Sequence, residues 1–104
     1  MSMFSGKEPH DIDPEKAKGL IKAWRADKAS NGKAHGHFFG REAIEKLLAQ
    51  EGCVGIRMYH ARRDKGHETL VLVAADTDGR DMWQGSVAEE SKPCPPFCDP
   101  DDAS

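Results

Sequence analysis

The fold is decided by residues 54–75, VGIRMYHARRDKGHETLVLVAA. Apolar and polar side chains alternate in the first half, which is the pattern of a strand with one buried face. The second half, residues 69–75, is apolar on both faces, as in a central strand. Residues 64–66 between them predict a three-residue hairpin loop with Gly66 in the left-handed conformation. This loop length predicts two cross-strand pairs: Met58 with Leu72, and Ile56 with Ala74.

A third strand is predicted at residues 82–88, after a turn at residues 76–80. Upstream of the hairpin, Asp13 is a good helix N-cap and Pro14 suits the first helical position. We expect this helix to end near residues 30–32, at Ser-Asn-Gly. Its apolar residues recur at helical spacing and form one stripe: Ala17, Leu20, Ile21 and Trp24.

A second helix is predicted to begin after Gly40 and to be closed by Gly52. Ile44, Leu47 and Leu48 form its apolar side. The sequence therefore predicts an α+β fold, in which two helices precede a three-stranded antiparallel meander and cover one face of it.

The composition divides the chain into a lead-in, one domain and a tail. Residues 1–12 are expected to be flexible, and residues 13–90 are expected to form a single α+β domain. Residues 91–104 form a tail rich in proline and cysteine, which we expect to pack on the domain up to its frayed acidic end. The net charge of −3 indicates neither a nucleic-acid nor a membrane partner. No apolar leader is seen, so we expect a cytoplasmic protein.

The other face of the predicted sheet is too apolar to remain exposed to water. We expect the tail, a second subunit or a protein partner to cover it. The candidate interface residues are therefore those on this face, together with the aromatic residue of the tail: Arg57, Tyr59, Val71, Val73 and Phe97.

Cys94 and Cys98 enclose the residues Pro-Pro-Phe. With trans prolines their Cα atoms would lie on the order of 12 Å apart, beyond the ~7 Å limit for a disulfide. A bridge therefore requires a turn, for example one with a cis bond before Pro96. Alternatively, Cys94 caps a single helical turn, and both thiols then share one face.

Metal binding is the other use for Cys53, Cys94 and Cys98. Zinc would need a fourth ligand, normally a histidine or another cysteine. The predicted topology separates each histidine from the cysteines, so no cofactor is expected and zinc is the metal to test. Cys53 by itself is typical of a small thiol packed at a helix-to-strand junction.

Two motifs resemble those of an uncharacterised family of small bacterial proteins of the Bacteroidota type. They are the Gly-Cys-Val-Gly-Ile-Arg run at residues 52–57 and the Pro-Cys-Pro-Pro-Phe-Cys ending at residues 93–98. The resemblance covers about two thirds of the chain and implies that the tail belongs to the domain. It implies no activity, substrate or cofactor.

The chain has no nucleophile paired with a base, no pair of acidic residues at a cleft and no phosphate-binding loop that its sequence reveals. We therefore expect a small, non-catalytic module for binding or self-association, with a protein partner or a second copy of itself. The alternative is a thiol-redox or zinc-binding protein that uses its three cysteines.

Overall fold

The computed structural model describes residues 2–63 and 66–101. Helix α1 spans Pro14–Ala26 and is followed by a 3-10 turn, Lys28–Ser30. Strand β1 is Gly36–Phe38, and helix α2 is Arg41–Leu48. The remaining strands are β2 (Gly55–Arg62), β3 (Glu68–Ala75), β4 (Val87–Ala88) and β5 (Lys92–Cys94).

Strands β2, β3 and β4 form an antiparallel sheet in that order, and β1 pairs with β5 in a separate two-stranded sheet. The predicted register of the hairpin is confirmed: Ile56 lies opposite Ala74, and Met58 lies opposite Leu72. Gly66 has a φ of 76°, the left-handed conformation expected of it. The other two loop residues, 64 and 65, lie outside the described residues.

The third strand is much shorter than predicted. Only Val87–Ala88 pairs with β3, and an isolated bridge joins Ala75 to Asp81. Between them the backbone turns, because the Gly85 N–H donates to the carbonyl of Met82 at 3.2 Å. Alternating residue types therefore predicted the position of the third strand but not its length.

The N-caps of both helices are those that the sequence predicts, but α2 ends at Leu48 with Ala49 as its C-cap, before the predicted Gly52. The Asp13 carboxylate accepts a hydrogen bond from the Lys16 backbone N–H, and Pro14 occupies the first helical position. Gly40 is the N-cap of α2. However, α1 ends at Ala26, several residues before the predicted stop, because Asp27 leaves the helix and caps the 3-10 turn.

The core lies around β3 and α2. Leu47, Leu72, Val73 and Ala74 are almost fully buried, and α2 contacts β2, β3 and β4. Both helices approach the same sheet face: the end of α2 lies near Ile56 and Met58, and Trp24 of α1 lies near His60 and Leu70. In the described residues, no helix is long and apolar enough to span a membrane.

Candidate functional site

The helix side of the sheet is only partly covered. Leu47 of α2 is 1% exposed, whereas Met58, farther along β2, is 57% exposed. Leu48, the last residue of α2, is also half exposed. Leu48 and Met58 border a groove of ≈ 610 Å³ along β2, which is an edge strand of the sheet. Its apolar lining comes from the lead-in, α2 and β2: Phe4, Leu48, Val54, Ile56 and Met58.

The apolar stripe of α1 is left largely exposed by the other described residues. No residue of this helix is buried, and Leu20 is 65% exposed, with Ile21 and Trp24 also on the surface. The Trp24 ring lies in a T-shaped arrangement with His35, with ring centroids 6.4 Å apart. At 43% exposure Trp24 is not part of the buried core, although it lies near the sheet residues His60 and Leu70.

The size of the molecule is consistent with an incompletely packed α1. Its radius of gyration is 15.5 Å, whereas a compact domain of this length would have about 13 Å.

Helix α1 carries four basic residues and one acidic residue, Glu15. Since the whole chain has a net charge of −3, a positive helix extends from a body that is more negative than the chain as a whole.

The opposite sheet face is partly covered from within the chain, by the lead-in and Trp83, whereas the expected cover was the tail, a second subunit or a partner. Tyr59 remains 40% exposed. Val73 is fully buried. The Arg57 guanidinium lies 5.4 Å from the centre of the Phe4 ring, and the Tyr59 ring stacks on Trp83 at 6.1 Å. Backbone hydrogen bonds from residues 3 and 4 to the carbonyl of Thr77 hold the lead-in in place.

Asp81 connects the two polar residues of this face. Its carboxylate accepts a hydrogen bond from Arg57 at 2.6 Å and another from the hydroxyl of Tyr59. The hydrogen bond that Tyr59 donates to Asp81 raises the pKa of Tyr59 above its ordinary value. The hydrogen bond that Arg57 donates to the same carboxylate raises the pKa of Arg57. These residues therefore tie β2 to the loop after β3. Val71, on the same face, is half-buried.

Cys94 and Cys98 form a disulfide, with their Cα atoms 4.7 Å apart. The sequence left open a turn that allows a disulfide or a single helical turn capped by Cys94. The structure contains the turn that allows the disulfide. The peptide bonds before Pro95 and Pro96 are both cis, and the Phe97 N–H donates to the carbonyl of residue 93 at 2.9 Å. The Phe97 side chain is exposed and lies under the ammonium group of Lys92.

Cys53 lies apart from this pair, at the junction between α2 and β2. It forms no disulfide within the described part of the chain, and it is half-buried. Its thiol donates to the carbonyl of Gly55 at 3.3 Å. Across residues 2–63 and 66–101, no three histidine, cysteine or acidic residues are grouped to hold a metal ion.

A second cavity, of ≈ 540 Å³, lies between the tail and the hairpin. Pro93 and Pro95, on either side of Cys94, form one wall, and Arg63 and His67 line another part. Ser91 also lines it, and its hydroxyl is hydrogen-bonded to Nδ1 of His37 at 2.7 Å. This bond joins the tail to β1, beside the β1–β5 pairing.

Comparison with known proteins finds no family model, no curated protein and no solved structure that matches this chain.

The structure brings together two groups of residues that the sequence did not connect. Met58 and Leu48 border one groove, although the hairpin register alone had assigned Met58 to a covered face. Asp81 and Trp83 contact the opposite face, although Asp81 falls between the predicted turn and strand and Trp83 falls within the predicted strand. The signal available was the position of Asp81 next to the predicted third strand, where a carboxylate can reach a basic residue of the sheet.

Proposed function

We propose that this protein is a non-catalytic self-association module, in which α1 of one copy occupies the groove along β2 of a second copy, and the reverse. The observation that supports this most directly is the pairing of two exposed apolar surfaces on one chain. One is the α1 stripe around Leu20, and the other is the groove around Met58. Exposed apolar patches of this kind mark interaction sites.

The two surfaces are of kinds that pair in helix-in-groove recognition. Three α1 side chains, Leu20, Ile21 and Trp24, present one ridge at helical spacing. An amphipathic helix docks through such a ridge into an apolar groove. Because each copy carries both surfaces, a twofold dimer would bury both ridges and both grooves.

Charge favours a second copy over an unrelated partner. The basic residues of α1, four against one acidic residue, would approach a body with a negative net charge. Glu8 lines the groove itself, and Arg57, the cation that also lines it, is paired with Asp81. Complementary charges of this kind steer association and set its orientation.

The test is the mass in solution, measured by light scattering over a wide range of protein concentration. We expect the wild-type chain to have twice the mass of one chain, and Leu20→Asp to be a monomer. Gly19→Asp is the matched control, because it adds the same charge at the neighbouring position on the opposite side of α1. An ideal Cβ at Gly19 meets nothing within 4 Å, so this variant should remain a dimer.

A mixing experiment separates this arrangement from contact between two α1 helices. Met58→Asp alters the groove and should also give a monomer. Mixing it with Leu20→Asp restores one intact helix-and-groove contact, so the two variants should form a mixed dimer. A wild-type monomer at every concentration would overturn the proposal, as would a failure of the mixture to associate when the wild type dimerises.

A further inference from the structure

The tail disulfide joins two residues that differ in exposure. Cys98 is exposed, whereas Cys94, at the end of β5, is half-buried. A disulfide reacts when a thiolate reaches one of its sulfurs, so the accessible sulfur is attacked first.

Cys94 is also the better anchored of the two residues. It lies opposite Gly36 in the β1–β5 pairing, and its carbonyl accepts a hydrogen bond from the His35 N–H at 2.5 Å. The backbone of Cys98 is bonded only locally, through its N–H to the carbonyl of Pro96 at 3.0 Å. The backbone of Cys94 is therefore tied to β1, whereas that of Cys98 is held only within the tail loop.

The space beside the pair is suited to a second molecule. Pro93 and Pro95 flank Cys94 in the chain, and both line the cavity of ≈ 540 Å³ between the tail and the hairpin. Arg63 and His67 add polar groups to the same cavity. A thiol compound held there would lie beside the two prolines that flank Cys94, next to the loop that the disulfide closes.

We propose that Cys94–Cys98 is a thiol–disulfide exchange site, with Cys98 as the sulfur that is attacked and the partner a dithiol. A thiolate of the dithiol attacks Sγ of Cys98, which forms a mixed disulfide and releases Cys94 as a thiolate. The second thiol of the partner then attacks the mixed disulfide and releases Cys98. The protein disulfide is reduced to two thiols, and the dithiol is oxidised to a disulfide.

The first experiment uses the full chain with Cys53→Ser, which removes the third thiol. The oxidised protein is treated with 2-mercaptoethanol without denaturant and quenched with iodoacetamide, and the position of each group is found by tandem mass spectrometry. We expect mercaptoethanol on Cys98 and the alkyl group on Cys94, with an excess of about tenfold over the reverse arrangement. Equal labelling, the reverse arrangement, or no reaction without denaturant would overturn the proposal.

The second experiment measures the reverse reaction, in which a thiol of the protein attacks an added disulfide. In the same background, Cys94→Ser leaves Cys98 as the only thiol, and Cys98→Ser leaves only Cys94. With an aromatic disulfide as probe, the Cys98 thiol should react about tenfold faster than the Cys94 thiol. Similar rates, or a faster Cys94, would mean that the disulfide only holds the tail. Circular dichroism of both variants establishes that they are compared in the folded state.

Discussion

Helices α1 and α2 have the same kind of sequence but different positions in the fold. Both carry an apolar stripe with charged residues on the other side, and both begin at the predicted caps. Leu47 of α2 is buried against the sheet, whereas Leu20 of α1 is exposed. Amphipathic spacing thus predicts that a helix will pack on something, but it does not specify whether that partner belongs to the same chain.

The largest expected effect comes from truncating the buried helix. Leu47→Ala removes a side chain that is 1% exposed, so we expect a loss of about 2–5 kcal/mol in the free energy of unfolding. Leu20→Ala is the counterpart on α1 and should cost less than about 0.5 kcal/mol at a concentration where the chain is monomeric. Urea unfolding measures both, and equal losses would show that α1 is packed within its own chain.

A smaller effect is expected at the cap of α1. Asp13→Ala removes the acceptor for the Lys16 N–H, which should weaken α1 locally by about 1 kcal/mol. Amide hydrogen exchange should therefore quicken in α1, while the midpoint of global unfolding stays nearly constant because α1 buries no residue. Asp11→Ala, outside the helix, is the control. A global loss as large as the local one would contradict the contrast between the helices.

The cap of α2 offers a gain of a few tenths of a kcal/mol. Gly40 has extended backbone angles and makes no side-chain cap, and an ideal Cβ there meets nothing within 4 Å. Gly40→Ser should accordingly stabilise the whole fold by about 0.3 kcal/mol, measured by thermal unfolding. Because α2 is part of the core, this small change should appear in global unfolding; an effect confined to local exchange would contradict that.

The smallest effect on stability is expected on the opposite sheet face, where Tyr59 is 40% exposed. The pKa of Tyr59 is raised above its usual 10.0 by Asp81, so its contribution is complete below pH 10 and is lost as the pH rises through the folded-state pKa. Asp81→Asn should lower this pKa, and Asp78→Asn should not. The absorbance of tyrosinate reports it directly, since Tyr59 is the only tyrosine in the chain. Identical tyrosine titrations of the wild type and of Asp81→Asn would show that Asp81 does not raise the pKa of Tyr59.

Local signals were sufficient for the hairpin. The loop length and a single glycine set the register of Met58 and Ile56, because each residue along a strand fixes the position of the next. The caps at Asp13 and Gly40 follow from the same kind of rule, since the hydrogen bonds involved span only three or four residues. By contrast, the pairing of β1 with β5 joins residues far apart in sequence, and neither strand has an alternating pattern long enough to predict it.

What the sequence determined by itself was therefore the α+β class, the order of the two helices before the three-stranded sheet, and the pairing of β2 with β3. Tertiary structure decided which apolar surfaces were covered. Trp83 was available to one sheet face, where it stacks on Tyr59, whereas the apolar stripe of α1 and the groove at Met58 remained exposed. The physical reason is that burial depends on chain connectivity and on the space left by other elements, which residue spacing along one segment does not encode.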